Sequence, residues 1–544
     1  MTTTFVNCRV LSSHQGDPSP SAMVIKGEVI TYIGPEDDEQ VLQARGEGPT
    51  INLNNRIILP GFIDAHVHIL NFGLSLQKLD LLPCQSFPEI RQAIATYAAT
   101  HPSEPRILCR GWIQSVTNGK ILATDLDDLD PRPIYVEALD LHSTWCNSAA
   151  LVELNVHSSA DPPGGKIHRH LDGTPSGLLD EAAQFSIVWP FLDQNASLEH
   201  KLAAVETAIA AQRRAGYTGL VDMGMKEQDW EVLNTYRNRH GKFPMHIAMH
   251  WLVSYSTEIT EINNHIDRAI ALHRDFNRVN SPDFCVNGVK LLCDGTVDGC
   301  TAALHQSYGD LAHPVDPIWP ADALAAAMHR AAKAGLQCAI HAIGDRAVQQ
   351  SIDCLSQLPN LSTGRHRIEH LEITTPEDAK RLGELGIVAS VQPVHLDPVT
   401  FGDWPEMLGP KRCERAFAYR EFVDGGAPLA FGTDAPTAAH HALPNLYIAA
   451  TRRSALSPTL SDTINPEQAL SLATAVSAAT SGAAYASFAD GFTGSLKPGF
   501  NADFVVVDMH LTAEKLLEAQ VCETWYRGEK TFDTESDTTK PQTT

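Results

Sequence analysis

The sequence predicts an α/β chain: a (β/α)8 TIM-like barrel, a small β-sandwich domain built from both chain termini, and a large insertion after barrel strand 1. Three observations predict it. Eight apolar runs of strand length recur along the middle of the chain, Ala-rich helical stretches separate several of them, and β-like pieces broken by Gly, Pro and Asp stand at both ends.

Residues 1–58 alternate as strands do, for example in SAMVIKGEVITYIG, and residues 485–532 do so again in NADFVVVD and ETWYRGEKTF; together they are expected to form the composite β-sandwich. The barrel is expected from residues 59–70 and 201–484. Its runs are IILPGFIDAHVH, GYTGLVDMG, MHIAMHWLV, CVNGVKLLCDG, QCAIHAIGD, RHRIEHLE, GIVASVQPVH and APLAFGTDAP, with helical segments such as PADALAAAMHRAAKAG between them. Eight runs favour a closed barrel over an open sheet. About 150 residues separate the first run from the second, far more than one crossover needs. Residues 71–200 therefore read as an inserted domain, and because a βα loop leaves at the catalytic face, it is expected over the barrel mouth. The polar end, 533–544, reads as a disordered tail.

Composition narrows the function. The 544 residues are 43% hydrophobic and 19% charged, enough for a large core, and the net charge is −24. No Lys/Arg cluster is visible, which argues against nucleic acid and anionic lipid as partners. No apolar run reaches the length of a membrane span, and the start, MTTTFVNCRVLSS, lacks a signal-peptide pattern. Eleven cysteines without a C-x-x-C fit a reducing compartment, so a cytoplasmic protein is expected.

The 24 histidines suggest metal without locating it. His66 and His68 form an H-x-H, which on a strand puts two imidazoles on one face. Such a pair arises about once by chance at this histidine frequency, and a second, His168 and His170, lies in a Gly-rich stretch without strand pattern and is expected to be structural. Position decides between them. Five of the eight runs carry a metal-capable or titratable residue toward their ends: His66 with His68, Lys290, His341, His370 and Asp434. In a barrel those ends converge on one mouth. Lys290 taken alone reads as a barrel lysine paired with a carboxylate such as Asp294, since an ammonium offers no lone pair to a metal.

The order PGFIDAHVH, GVKLLCDGTVDG with TAAL, HAIGD, RIEHLE, SVQP and FGTDAP resembles the amidohydrolase superfamily, in its amidohydrolase family 3 branch, which includes N-substituted formamide deformylases. RGW, RPIYVEALDLHSTWCNSAAL and GGKIHRHLDGTPSG in the insertion resemble that branch too, so the resemblance runs from about residue 55 to 510. It implies two divalent metal ions, usually zinc. His66, His68 and Asp434 would hold one and His341 and His370 the other, with N6-carboxylated Lys290 bridging them. Asp434 would also move the proton of the attacking water. Such a centre ionises water near neutral pH and polarises a carbonyl.

Gln392 and His395 follow the seventh run and face the same mouth, as candidates for substrate or oxyanion contact or for loop hydrogen bonds. Asp294 is a candidate brace for Lys290 or a neighbouring loop. Trp112 and His142 match family positions that overhang the pocket, although a tryptophan is more often core. The reading is a metal-dependent hydrolase of a non-peptide C–N bond in a small-molecule amide, expected to be a linear N-formyl or N-acyl amine. A cyclic-amide hydrolase of hydantoinase or dihydroorotase type is the alternative, and a metal-free binding relative stands further off. Superfamily members are often dimers, so a homodimer is admitted as a partner.

Overall fold

The parallel strands run Phe62–Val67, Tyr217–Met225, His246–Leu252, Phe284–Leu292, Gln337–Ala342, Arg367–His370, Val388–Val391 and Leu429–Phe431, each paired with the next. These are the eight apolar runs, buried along almost every position as parallel strands covered on both faces must be. Helices such as Ala321–Lys333, Asp345–Leu355 and Pro376–Leu385 connect them. The computed structural model describes residues 1–11, 19–117, 121–139, 141–162, 164–309 and 311–536. The expected tail lies outside the described residues from 537 onward. Before that point the expectation fails: Asp533 closes a strand, and Thr534 donates its backbone N–H to the Cys522 carbonyl.

Small side chains fill the amino-terminal end of the barrel. Ile63, Ala65, Val221, Ala248, Cys285 and Ala339 pack with Ala483, Ala484, Ala486 and Ala489, so the barrel's packing continues past residue 484. Gln337 reaches the Ala486 carbonyl and Asn287 the Ser487 carbonyl, which seals this end with hydrogen bonds.

The two termini build one mixed sheet ordered Glu529–Asp533, Gln520–Tyr526, Phe504–Asp508, Ile57–Pro60, Thr2–Val10, Ser19–Lys26 and Val29–Gly34. Phe5, Phe504 and Trp525 meet ring to ring at its centre, with centroids 5.2–5.4 Å apart. This sheet and the barrel form a single compact unit, residues 1–68 with 209–544. A buried pair links them: His246 Nε2, on the third barrel strand, lies 2.8 Å from Asp503 Oδ2, while Asp503 Oδ1 accepts the Arg527 N–H.

Residues 69–208 form the second unit. Its sheet runs Gly165–Arg169, Pro175–Glu181, Ser143–Cys146, Ile134–Ala138, Ile107–Trp112 and Leu79–Asp80. Trp112 and Trp145 pack at its core, and Ser86 and Asn147 cap its helices Phe87–Thr100 and Ser148–Glu153. His168 does lie on a strand, contrary to the sequence pattern, and it is paired with Asp180 inside this unit. Among the described residues no helix is long and apolar enough to cross a membrane. All eleven cysteines are free.

Removing the Asp503 carboxylate would strand the buried His246 ring and the half-buried Arg527 N–H. Asp503→Ala is therefore expected to cost about 2–3 kcal/mol, read as a lower denaturant midpoint.

Candidate metal centre

The carboxyl ends of the barrel strands carry the chemistry. His66 lies near the end of the first strand and His68 just beyond it, on the same side, their rings 5.6 Å apart. The eighth strand is clasped to the first at this point. Asp64 Oδ1 accepts the Thr433 and His66 N–H groups, Asp64 Oδ2 accepts the Thr433 hydroxyl at 2.6 Å, and the His66 carbonyl accepts the Thr433 and Asp434 N–H groups. Burial raises the Asp64 carboxyl to about 7 despite these donors. The strands can approach this closely because residue 432 is glycine: a Cβ there would lie 2.5 Å from the His66 Cβ and 2.6 Å from its backbone nitrogen.

The clasp delivers Asp434 to the histidines. Its Oδ1 lies 3.3 Å from His66 Nε2 and 3.1 Å from His68 Nε2. The ligand atoms of His66, His68 and Asp434 all lie within 4.8 Å of one another, and those of His370, His395 and Asp434 do so as well. His341 and His370 are in ring contact at 4.3 Å, and His370 is 5.1 Å from His66. His370 and Asp434 both adopt left-handed backbone, φ 76° and 58°. Such strain costs about 1–3 kcal/mol for each residue and gathers at functional sites.

Hydrogen bonds assign the free imidazole nitrogens. His341 Nε2 faces the Gly295 carbonyl at 3.1 Å, so Nε2 carries the proton and Nδ1 is the lone-pair nitrogen. His66 Nδ1 faces Glu369 Oε2 at 2.7 Å, which leaves Nε2 toward Asp434. Burial keeps these rings neutral: His341 is pushed down to about 3, and His66 and His370 also fall below the usual imidazole value. Burial opposes protonation of His68 too, but Asp434 beside it outweighs this and raises it. Burial would raise Asp434, yet His66 and His68 hold it well below the usual carboxylate range.

Lys290 is the decisive member. It is 2% exposed, and Nζ makes no hydrogen bond among the described residues. Burial drives it down to about 8 although Glu369 and Asp434 pull the other way. His370 Nδ1 and Asp434 Oδ1 are likewise buried without a hydrogen-bond partner. Buried polar atoms are ordinarily satisfied, and three such atoms among neutral imidazoles and one carboxylate fit a divalent-cation donor set.

The other sequence candidates divide. Asp294 does not pair with Lys290: its oxygens accept the backbone N–H groups of Ala303, Ile343 and Gly344, so it braces a loop. Trp112 is 1% exposed in the core of the second unit, with its indole N–H on Thr117, and has no face for substrate contact. His142 lies in that unit too, 2.9 Å from Glu181. Gln392 does reach the centre, its amide 3.1 Å from His66 Nδ1, and is buried there. His395 also reaches it, between Glu372 at 3.4 Å and Asp434 Oδ2 at 3.7 Å. Glu369, Glu372 and Asp64 escaped sequence reading, although a carboxylate inside an apolar strand run was the available signal for Asp64 and Glu369.

The family model described as "Amidohydrolase family" matches residues 49–532. The chain belongs to the amidohydrolase family. This amidohydrolase is 29% identical to Protein LONG AFTER FAR-RED 3 of Arabidopsis thaliana, over 97% of this chain and 91% of that protein. It is 23% identical to the N-substituted formamide deformylase of Arthrobacter pascens, over 96% and 97%. An uncharacterized metal-dependent hydrolase from Pyrococcus horikoshii OT3 shares its fold, with a TM-score of 0.77 at 22% identity, over 94% of this chain and 99% of that one. The amidohydrolase is thus a metal-dependent hydrolase of C–N bonds, with His/His/Asp groups that suit the metal.

A methyl group at position 432 would clash with the His66 Cβ and backbone and so push His66 away from Asp434. Gly432→Ala is expected to lower metal affinity about tenfold or more, read by chelator competition.

Proposed function

We propose that the protein hydrolyses linear N-formyl or N-acyl amines at a centre of two divalent cations, most naturally zinc, bridged by N6-carboxylated Lys290. The observation that carries this reading is the Lys290 amine, buried beside His66, His341, His370 and Asp434 and without a hydrogen-bond partner among the described residues. A neutral amine adds to CO2, forming an N–C bond and releasing one proton, and the product is a carboxylate with two oxygens to offer. His66, His68 and Asp434 would hold one cation, His341 and His370 the other, and the carboxylated lysine both. The metals supply an ionised water and a polarised carbonyl when bound.

The chain's own groups do the rest. Asp434 Oδ1 lies against the two imidazoles of the H-x-H pair while Oδ2 faces His395, so this one carboxylate can take a proton on the water side and release it toward the leaving nitrogen. His395 and Gln392 stand where they can donate hydrogen bonds to the carbonyl oxygen as it gains charge. Linear rather than cyclic amides are favoured by the likeness to a formamide deformylase along nearly the whole of both chains.

A hydrolysis screen of metal-loaded protein across N-formyl, N-acetyl and longer N-acyl amines, hydantoins and cyclic ureas tests the reading. Release of amine from the linear amides supports it; turnover confined to the cyclic compounds overturns it. Asp434→Asn is expected to keep much of the metal and lose at least about 100-fold in kcat. Because Lys290 is protonated below about 8 and neutral above it, carboxylation favours alkaline conditions. With bicarbonate present, metal uptake by the stripped protein is expected to be more complete at about pH 9 than at about pH 7, with the difference abolished in Lys290→Met.

A further inference from the structure

Beneath the candidate ligands lies a group of charged side chains that no ligand role uses. Arg367 and Glu369, both fully buried, sit two apart on the sixth barrel strand. Arg367 donates from Nε to Glu369 Oε1 and from Nη2 to the Ala65 carbonyl at 2.7 Å, to Glu369 Oε2 and to the Ser390 hydroxyl. Ser390 in turn donates to Glu369 Oε2 at 2.7 Å, the same oxygen that lies 2.7 Å from His66 Nδ1. Three elements of the barrel thus converge on one carboxylate, and Arg367 also grips the backbone next to His66.

His66 meets contradictory neighbours at Nδ1. The Gln392 amide nitrogen, 3.1 Å away, would donate to it and so favours the tautomer protonated on Nε2. The Glu369 carboxylate, an acceptor only, demands a proton on Nδ1. The carboxylate contact is shorter and charge-assisted, roughly twice as strong as a neutral bond. Arg367, through Nε and Nη2, and the Ser390 hydroxyl all donate to that carboxylate and hold it in place.

We propose that Glu369 is a positioning residue that fixes His66 as the Nδ1–H tautomer, turning Nε2 toward the metal, and that Arg367 and Ser390 hold it in place for this purpose. The proposal deepens the reading above and rests on it. It concerns the geometry of one ligand, not a group that touches substrate. The Arg367–Glu369 pair carries no net charge, so it orders His66 without adding charge to the centre.

Metal affinity, measured by chelator competition on the purified full chain, gives the test. Glu369→Leu is expected to weaken binding about 10- to 100-fold with fold retained by circular dichroism. Because that variant strands the Arg367 charge, a second pair removes it: Arg367→Met/Glu369→Gln keeps an acceptor for His66, whereas Arg367→Met/Glu369→Leu does not. The Gln pair member is expected to bind metal at least about tenfold more tightly than the Leu member; equal affinity overturns the proposal. Wild-type protein that takes up no metal would instead defeat the functional reading. A readout independent of folding closes the case. In stripped, 15N-histidine-labelled wild type, His66 is expected to carry its proton on Nδ1, and a resonance showing protonation on Nε2 refutes the assignment.

Discussion

An amine buried in the middle of a parallel barrel without a partner sets the terms for the rest of this molecule. Transferring an unpaired ammonium from water is so unfavourable that the group holds its proton less tightly, and Lys290 is accordingly depressed to about 8. The surrounding groups obey the same constraint. His66, His341 and His370 are neutral because they are buried, and the fully buried ion pair of Arg367 with Glu369 neutralises itself. What remains is a cluster of imidazole lone pairs gathered around the Asp434 carboxylate. Such a place is unfavourable for a protein alone and favourable for divalent cations.

The donors can be this close because the backbone is committed on their behalf. Asp64 and the His66 carbonyl tie the eighth strand to the first, Gly432 lets the two strands touch, and His370 and Asp434 take left-handed conformations that a strand would not otherwise adopt. Strain of this kind persists only when neighbouring structure over-determines it. Here the over-determination is visible as hydrogen bonds to Asp64 from two strands. The amino-terminal end, packed with alanines, leaves the barrel nothing to do there but hold its shape.

The fold was legible because parallel strands buried on both faces write themselves as uninterrupted apolar runs, and all eight appear in sequence order. The candidate ligands were legible because each lies toward the end of a run. Of the two roles open to Asp294, bracing Lys290 or bracing a loop, only the second holds, and Trp112 misled because an aromatic in an inserted segment looks the same in sequence whether it faces a cavity or packs in a core. Glu369 was hidden by its neighbour. In RIEHLE the histidine draws attention, and nothing in the linear order says that the preceding carboxylate reaches a histidine more than 300 residues away. His395 was placed at the mouth, but its position opposite the second oxygen of Asp434 is a fact of three dimensions.

The central claim is that Lys290 is an acid-labile carboxylated bridge between two metals. A crystal structure of the protein grown near pH 8.5 with zinc and bicarbonate, with anomalous data collected at the zinc edge, addresses it directly. The account predicts two anomalous peaks between His66, His68, His341, His370 and Asp434, joined by density extending from Lys290 Nζ by one carboxyl group. An unmodified Lys290 amine, with no anomalous peak among those five side chains, would contradict it.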